Sequence, residues 1–340
     1  MSKPIPHSRP TLGRAEADAA AEAVLSRQVA AGDRTAQFER AVAESVGVCG
    51  AVATSSGTAA LAAALRALDV GAGDEVIVPS FVCTALLHAV WAAGAEPVVC
   101  DVGDDYNLSP AAARAGMTGR TAAIILPHMF GAPAPAEEFL ALGPPVIEDC
   151  AQAIGAEVGS AGAVSVFSFY ATKMMTTGEG GMLASDSSEL LDRARDLIEY
   201  DKKEDDRRRF NLKFNDIAAA VGLVQLSRLG TFVQRRREIA SAYVLGLSDV
   251  SRIHLPAPPG SVYYRYIVET EDPAALIGAM GARDIAAARP VDPPLHRVAR
   301  AGGCPSAERA WGRAVSLPIY PSLTDAEVER IAAAVREAVG

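Results

Sequence analysis

The sequence predicts an α/β protein, with a large domain built on a mostly parallel sheet and a smaller α+β domain after it. Three observations carry this. Between about residues 13 and 230, short β-branched runs are apolar at nearly every position, which suits strands buried on both faces of a sheet. Ala- and Leu-rich segments long enough to be crossover helices lie between most of them. After Gly230 the texture changes to a long polar helix, a proline-rich stretch and one strand-like run.

In chain order the expected strands are VIVPS (Val76 to Ser80), PVVCDV (Pro97 to Val102), AAIILPH (Ala122 to His128), PPVIED (Pro144 to Asp149), AVSVFSF (Ala163 to Phe169) and GGMLAS (Gly180 to Ser185). Crossover helices are expected in TAALAAALRAL after Gly57 and TALLHAVWAAG after Cys83. Beyond Gly230 follow a helix over Thr231 to Leu245, the LPAPPG stretch, the run VYYRYIVET and a closing helix TDAEVERIAAAVREAV. The division is therefore residues 1–230, a large domain with an N-terminal arm, and residues 231–340, a connecting helix with a small α+β domain. No internal repeat or low-complexity tract is visible beyond a general Ala bias.

Composition excludes several classes. A chain of 340 residues, 50% hydrophobic and 21% charged, has room for about two domains with sizeable cores, and is neither disordered nor a stapled mini-protein. Its longest apolar runs are soon broken, as AALAAAL is by Arg66, so no transmembrane helix is expected. The opening MSKPIPHSRPTLG has two early prolines and a histidine where a secretory signal needs an unbroken apolar stretch, which points to the cytoplasm. Five scattered cysteines without a CxxC pair suggest neither a disulfide framework nor a zinc cage, and no metal is expected. A net charge of −9 argues against a nucleic-acid partner. The short basic runs at Lys202–Lys203, Arg207–Arg209 and Arg235–Arg237 are interleaved with or followed by acids, as on a solvated face or a single anion spot.

Three constellations can carry chemistry. In SSGTAALAAAL, Ser55 to Leu65, Ser, Gly and Thr precede a helical run: Gly57 permits close approach, and the first free N–H groups with the helix dipole favour an anion such as phosphate. The plain alternative is an ordinary helix cap. In PPVIEDCAQAIGA a strand ends in Glu148 and Asp149, where an acid faces the ligand crevice of a parallel sheet and can meet a protonated heterocyclic nitrogen. The alternative there is a loop acid capping the next helix. In FSFYATKMMTTGEGGML, Ser168 and then Lys173 follow a strand. That setting suits an amine held near a phosphate and partly desolvated, so that its neutral form can make a Schiff base. Most lysines, by contrast, are surface residues.

Phosphate cup, acid at a strand end, then Ser and Lys, in this order, resemble the sugar aminotransferases of the DegT/DnrJ/StrS type. The likeness runs nearly end to end, through GDEVIVPSF, EPVVCDV, LPHMFGAP, VIEDCAQAIGA, FSFYATKMMTTGEGGM, NLKFNDIAAAVGLVQL and SLPIYPSLT. It implies a pyridoxal-phosphate enzyme of the aspartate-aminotransferase fold (fold type I), whose large domain holds a mostly parallel sheet of seven-stranded type. It also implies roles: Lys173 carries the cofactor and moves the proton, Asp149 pairs with the pyridinium nitrogen and Gln152 lies beside the ring hydroxyl. Gly57, Thr58 and Ser168 bind the phosphate, and Asn211 reaches the phosphate of a neighbouring subunit in a homodimer with shared active sites.

Three departures bear on specificity. Cys83 stands where the family usually sets an aromatic ring against the cofactor face; a thiol offers less contact area, and a plain buried cysteine is its commoner fate. The usual Gly-Asp before the lysine-bearing strand is Gly162-Ala163, which removes a turn hydrogen bond. Lys213 replaces the Arg expected after Asn211, keeping the charge of a substrate contact but losing the bidentate fork. His296, in PPLH, resembles a family position near the substrate. His128 can line the site or be a satisfied structural histidine, and His7, His88 and His254 have no supporting neighbours in the sequence. The implied reaction moves an amino group from an amino acid, usually glutamate, to a keto-sugar or ketocyclitol. A pyridoxal-phosphate dehydratase, lyase or cyclase is the alternative, and a non-catalytic cofactor-binding regulator stands third.

Overall fold

The computed structural model describes residues 3–256 and 258–339. Its large sheet contains β1 (Gly50–Thr54), β2 (Glu75–Pro79), β3 (Glu96–Cys100), β4 (Thr121–Pro127), β5 (Val146–Asp149), β6 (Val164–Ser168) and β7 (Gly181–Ser185), in the spatial order β1-β7-β6-β5-β4-β2-β3. Only β7 runs against its neighbours β1 and β6; every other pairing is parallel. Strands β2, β5, β6 and β7 are buried at every position because helices cover both faces, which is why they read as largely apolar runs rather than as alternating ones. Strand β1 has no such signature. Its GAVAT is short and holds Gly50 and two alanines, residues of low strand preference, and its extended form comes from the ladder with β7.

The helix Gly57–Ala67 illustrates how the crossover segments form. Ser56 caps it, with Oγ accepting from the Ala59 N–H at 3.1 Å, and the Ala-rich sequence that follows has high intrinsic helicity. Seven of its eleven residues are buried.

A second, antiparallel sheet contains β8 (Ile253–His254), β9 (Tyr266–Thr270) and β10 (Ala314–Leu317), in the order β10-β9-β8. The 19-residue helix Leu229–Leu247 packs Ile239, Ala240, Tyr243 and Leu247 onto it, together with the closing helix Asp325–Val339. The chain weaves between the two cores. Ile5 of the N-terminal arm joins the core of the small sheet, held by Ile5 N–H to Asp284 O at 2.8 Å and Ala286 N–H to Ile5 O at 2.9 Å. In the other direction, Leu295, Ala307 and Ala310 from late in the chain pack into the core of the large sheet. Among the described residues no single helix is long and apolar enough to cross a membrane.

The run VYYRYIVET is a strand only from Tyr266 onward. Val262 to Arg265 instead dock on the turn after β4: Val262 N–H donates to Gly131 O at 2.9 Å, and Tyr263 has a φ of 52°. Gly131, at φ 91°, makes this docking possible, since a Cβ there would lie 2.9 Å from Tyr264 N. A backbone claimed by a distant turn cannot also complete a β ladder.

Candidate active site

Strand register gathers the expected residues at one edge of the large sheet. Thr54 pairs with Gly181, Gly181 with Ser168, and Val166 with Asp149, so the carboxyl ends of β1, β5 and β6 lie together, where parallel sheets bind ligands. Gly181 must be glycine, because a Cβ there would sit 2.3 Å from Ser56 C and O. The turn at Ser55 to Thr58 then enters the helix Gly57–Ala67 with the first-turn N–H groups of Gly57 and Thr58 unclaimed by the helix. A Cβ on Gly57 would meet Ser168 Cβ at 2.9 Å and Oγ at 3.3 Å, so the two residues form one wall of a small anion cup. Gly57→Ala is expected to weaken pyridoxal-phosphate binding about 10- to 100-fold by pushing Ser168 out of the cup, as measured by titrating the cofactor into the apoprotein. An unchanged dissociation constant would refute the cup.

The two acids that end β5 have opposite environments. Both Glu148 oxygens are used inside the protein: Oε2 by His128 Nε2 and Gly159 N–H, both at 3.0 Å, and Oε1 by Ala161 N–H at 2.9 Å and Gly162 N–H at 2.7 Å. Burial by itself would raise this carboxyl, but these hydrogen bonds outweigh it and hold it down to about 2. A folded-state value below the unfolded one stabilises the fold fully above about pH 4.5, and the stabilisation fades as pH falls toward 2. Glu148→Gln is expected to cost about 3 kcal/mol at neutral pH and to flatten the acid limb of a stability–pH profile measured by urea denaturation. His128 is the satisfied structural histidine of its two readings: Nδ1 accepts from Ala134 N–H at 2.9 Å and Nε2 faces Glu148. Cys150 lies close enough to complete a trio with them, but burial and the two carboxylates push its thiol well up. With His128 and Glu148 already hydrogen-bonded, the trio is not a metal site.

Asp149, by contrast, is buried with only one oxygen engaged, Oδ1 accepting from Ala151 N–H at 3.0 Å. Burial raises its carboxyl despite this bond and the nearby Lys173. Lys173 is half-buried in the turn after β6, between Phe169 and the buried Met174 and Met175. Thr176 pins that turn, with Oγ1 donating to Phe169 O at 3.0 Å and its N–H donating to Gln225 Oε1 at 3.2 Å. Lys173 makes no ion pair among the described residues. Its Nζ stands 5.0 Å from the centre of the Tyr264 ring, and its charge reaches both Asp149 and Cys83.

Cys83 opens onto the cleft at the start of the helix Ala85–Ala93, yet the crowded walls desolvate it and push its thiol up. It is therefore a wall of the site and not a buried core cysteine. Gln152 is fixed by Phe130 N–H donating to its Oε1 at 2.9 Å, with its amide nitrogen 3.9 Å from Met129 Sδ.

Three expected residues lie apart from this cluster. Asn211 is exposed, on a segment that bridges Thr54 through Lys213, with Ser55 N–H donating to Leu212 O at 2.8 Å. Lys213 is held by Glu199 at 3.0 Å and Asp201 at 3.8 Å, and these acids raise its ammonium. That pairing departs from a free substrate contact. His296 departs from one as well, because Ser80 Oγ at 2.5 Å and Glu308 Oε1 at 2.6 Å take both ring nitrogens.

Tyr264 and Arg265 were not singled out in the sequence, where they sit within an apparently regular strand. Nothing local marks them, since Tyr264 reaches Lys173 across 90 intervening residues of chain. His7 also gains neighbours that the sequence does not show: Arg265 Nη1 at 2.7 Å and Ser316 Oγ at 2.9 Å.

The residues present fit pyridoxal phosphate. The cup that a Gly57 Cβ would fill suits a phosphate, the half-satisfied buried Asp149 suits a protonated ring nitrogen, and an unpaired lysine stands beside them.

Comparison with known proteins agrees with this chemistry. The model of the DegT/DnrJ/EryC1/StrS aminotransferase family matches residues 10–336. The chain is 37% identical to the dTDP-4-dehydro-2,3,6-trideoxy-D-glucose 4-aminotransferase of Saccharopolyspora spinosa, with 97% of this chain and 96% of the relative covered. It superposes on the aminotransferase TlmJ from Streptoalloteichus hindustanus with a TM-score of 0.93 at 36% identity, covering 98% of both chains. It superposes also on the PLP-form of a putative sugar aminotransferase from Streptococcus pneumoniae, with a TM-score of 0.92 at 26% identity, covering 99% of this chain and 98% of that one. A family match of this extent makes the chain a member of the DegT/DnrJ/EryC1/StrS family and a pyridoxal-phosphate-dependent aminotransferase.

Proposed function

We propose that this aminotransferase moves the amino group of an amino acid, in the first place glutamate, to the carbonyl of a keto-sugar or ketocyclitol in sugar or natural-product biosynthesis. The convergence of Lys173, Asp149 and the Gly57 cup on one sheet edge is the observation that carries it. The sugar acceptor is supported by the relative from Saccharopolyspora spinosa, named for a nucleotide-linked dehydro-sugar.

Bound at this edge, pyridoxal phosphate supplies an electron sink that acidifies the hydrogen on the amine-bearing carbon of the substrate. The rest belongs to the chain. Gly57 and Thr58 N–H groups and the Ser168 hydroxyl hold the phosphate, and Asp149 keeps the ring nitrogen protonated. Gln152 faces the ring hydroxyl, and Cys83 closes one face. Lys173 Nζ would hold the cofactor and, once freed, would be the group that takes up and returns the proton at the substrate carbon. Lys213 and His296 act through their partners, Lys213 by fixing the segment that carries Asn211 and His296 by tying Ser80 to Glu308.

We place Asn211 at the phosphate of a second copy, in a symmetric homodimer with shared sites. Its exposure supports this, as do the exposed Tyr170, Tyr200 and Phe210 that a second copy would cover. Residues 1–230 are assigned to the cofactor domain and 231–340 to the connecting helix and small domain. Five free thiols suit a reducing cytoplasm.

The experiment is a two-step spectral titration. Glutamate should bleach the near-ultraviolet-to-violet band of the cofactor-loaded enzyme, and a keto-sugar or ketocyclitol should restore it. A band that glutamate leaves unchanged would overturn the reading and favour elimination chemistry. Mixing inactive Lys173→Ala and Asn211→Ala chains should restore activity through one wild-type shared site; absence of rescue would overturn the shared dimer.

A further inference from the structure

The segment that docks on Gly131 brings an unpaired cation toward the reacting amine. Arg265 is half-buried, and it makes no ion pair with a carboxylate among the described residues. Its Cζ lies 4.9 Å from the centre of the Tyr264 ring, the same ring that Lys173 Nζ approaches at 5.0 Å, and Nη2 comes within 3.5 Å of the Tyr264 hydroxyl. A guanidinium removed from bulk water without a counter-charge is costly, so such a site favours an anionic ligand.

From this geometry we infer that Arg265 is the residue that binds a carboxylate of the amino donor, with His7 and Tyr264 as its positioning residues; the inference rests on the transamination reading above. His7 accepts from Arg265 Nη1 at 2.7 Å through Nδ1 and is itself held by Ser316 Oγ at 2.9 Å, so the N-terminal arm fixes one edge of the guanidinium. Burial and the Arg265 charge lower His7 to about 4, which keeps it a neutral acceptor that leaves the arginine's charge uncompensated at neutral pH. Tyr264 supports the other side. Burial alone would raise its phenol, but Lys173, Arg265 and a hydrogen bond with Thr172 bring it to about 8, a sign of how strongly cationic this corner is.

Two anions could seek that charge, a donor carboxylate or the diphosphate of a nucleotide-linked acceptor. Arg265 Cζ and Lys173 Nζ lie 4.9 and 5.0 Å from the centre of the same ring, so they stand no more than roughly 10 Å apart, a span that the carbon skeleton of a small dicarboxylic amino acid can bridge. A diphosphate stands a whole sugar ring away from the carbonyl that reacts.

The test uses the full-length, cofactor-loaded enzyme. Arg265→Lys and Arg265→Met should raise the KM for glutamate about 10- to 100-fold while changing kcat less than about threefold, the signature of lost uniform binding. The KM for a nucleotide-free ketocyclitol and for a nucleotide-linked keto-sugar should hold within about twofold. Calorimetry with glutarate, a dicarboxylate that cannot react, should show binding to the wild-type cofactor-loaded enzyme and at least tenfold weaker binding to cofactor-loaded Arg265→Met. Thermal melting of each variant checks folding, and the charge-keeping Lys variant should retain the larger share of affinity. Unchanged glutamate KM with unchanged glutarate binding overturns the assignment, and a selective rise in KM for the nucleotide-linked acceptor assigns Arg265 to the diphosphate instead. Failure of the wild-type enzyme to bleach with glutamate overturns the transamination reading itself, which is a separate outcome.

Discussion

Lys173→Ala should abolish turnover, lowering kcat for transamination about 10⁴-fold or more, while the purified variant still binds pyridoxal phosphate. The size of the loss follows from the two separate tasks we propose for one side chain: anchoring the cofactor covalently and shuttling the proton, the latter alone worth about 10²- to 10⁴-fold. Retention of the cofactor follows from the cup, because Gly57, Thr58 and Ser168 are untouched by the substitution. Borohydride should therefore fix cofactor to the wild-type chain and not to the variant, as read by intact-protein mass. The local structure makes the mutation a clean one. The turn around Lys173 is held by Thr176 and by Met174 and Met175, none of which depends on the ammonium group, and the lysine makes no ion pair among the described residues. Its melting temperature should thus stay near that of wild-type apoprotein. Covalent fixation of cofactor to the Ala variant, or activity within tenfold of wild type, would remove Lys173 from its role.

Much of this site was legible because its parts are local. A glycine and capping residues before an Ala-rich helix, an acid at the end of an apolar run, and a lysine after a Ser each mark themselves within a few residues. Register then joins them across β1, β7, β6 and β5. What stayed hidden is long-range. Strand β1 has weak intrinsic preference and exists through pairing with β7, and Val262 to Arg265 leave the expected strand because Gly131 accepts their docking. Tyr264, Arg265 and His7 reach the site by tertiary contact alone, so composition and period could not announce them. Lys213 and His296 show the converse: residue type and neighbourhood suggested substrate contacts, while the fold supplies Glu199 and Glu308 as partners. Glu148 and Asp149 make the sharpest contrast. Adjacent in sequence and alike in chemistry, they point to opposite faces of β5, one into a cage of N–H donors and one toward Lys173.

That contrast sets up a second large effect, in which function and stability should move in opposite directions. Asp149→Asn keeps the side-chain shape and an oxygen for the Ala151 N–H, but removes the negative charge that we assign to keeping the cofactor's ring nitrogen protonated. An opposite charge withdrawn from a buried pair costs about 3–5 kcal/mol, which corresponds to about 10²- to 10⁴-fold in kcat/KM for the glutamate half-reaction. The apoprotein should respond the other way. Burial raises the Asp149 carboxyl above its unfolded value, so the charged form is disfavoured in the empty fold. The destabilisation is fully present above the folded-state value and disappears below the unfolded one, so at neutral pH the wild-type apoprotein bears it. Asn does not, and the Asp149→Asn apoprotein should melt at a higher temperature than wild type at pH 7 and lose that advantage in acid. Cofactor should narrow or reverse the gap, because it stabilises wild type through the ring-nitrogen pair and the variant through the phosphate cup alone. A variant that melts lower than wild type without cofactor, or keeps more than a tenth of its activity, would show that Asp149 serves the fold and not the ring. The opposite pair of results would mark a carboxylate kept in a costly place for the sake of its charge.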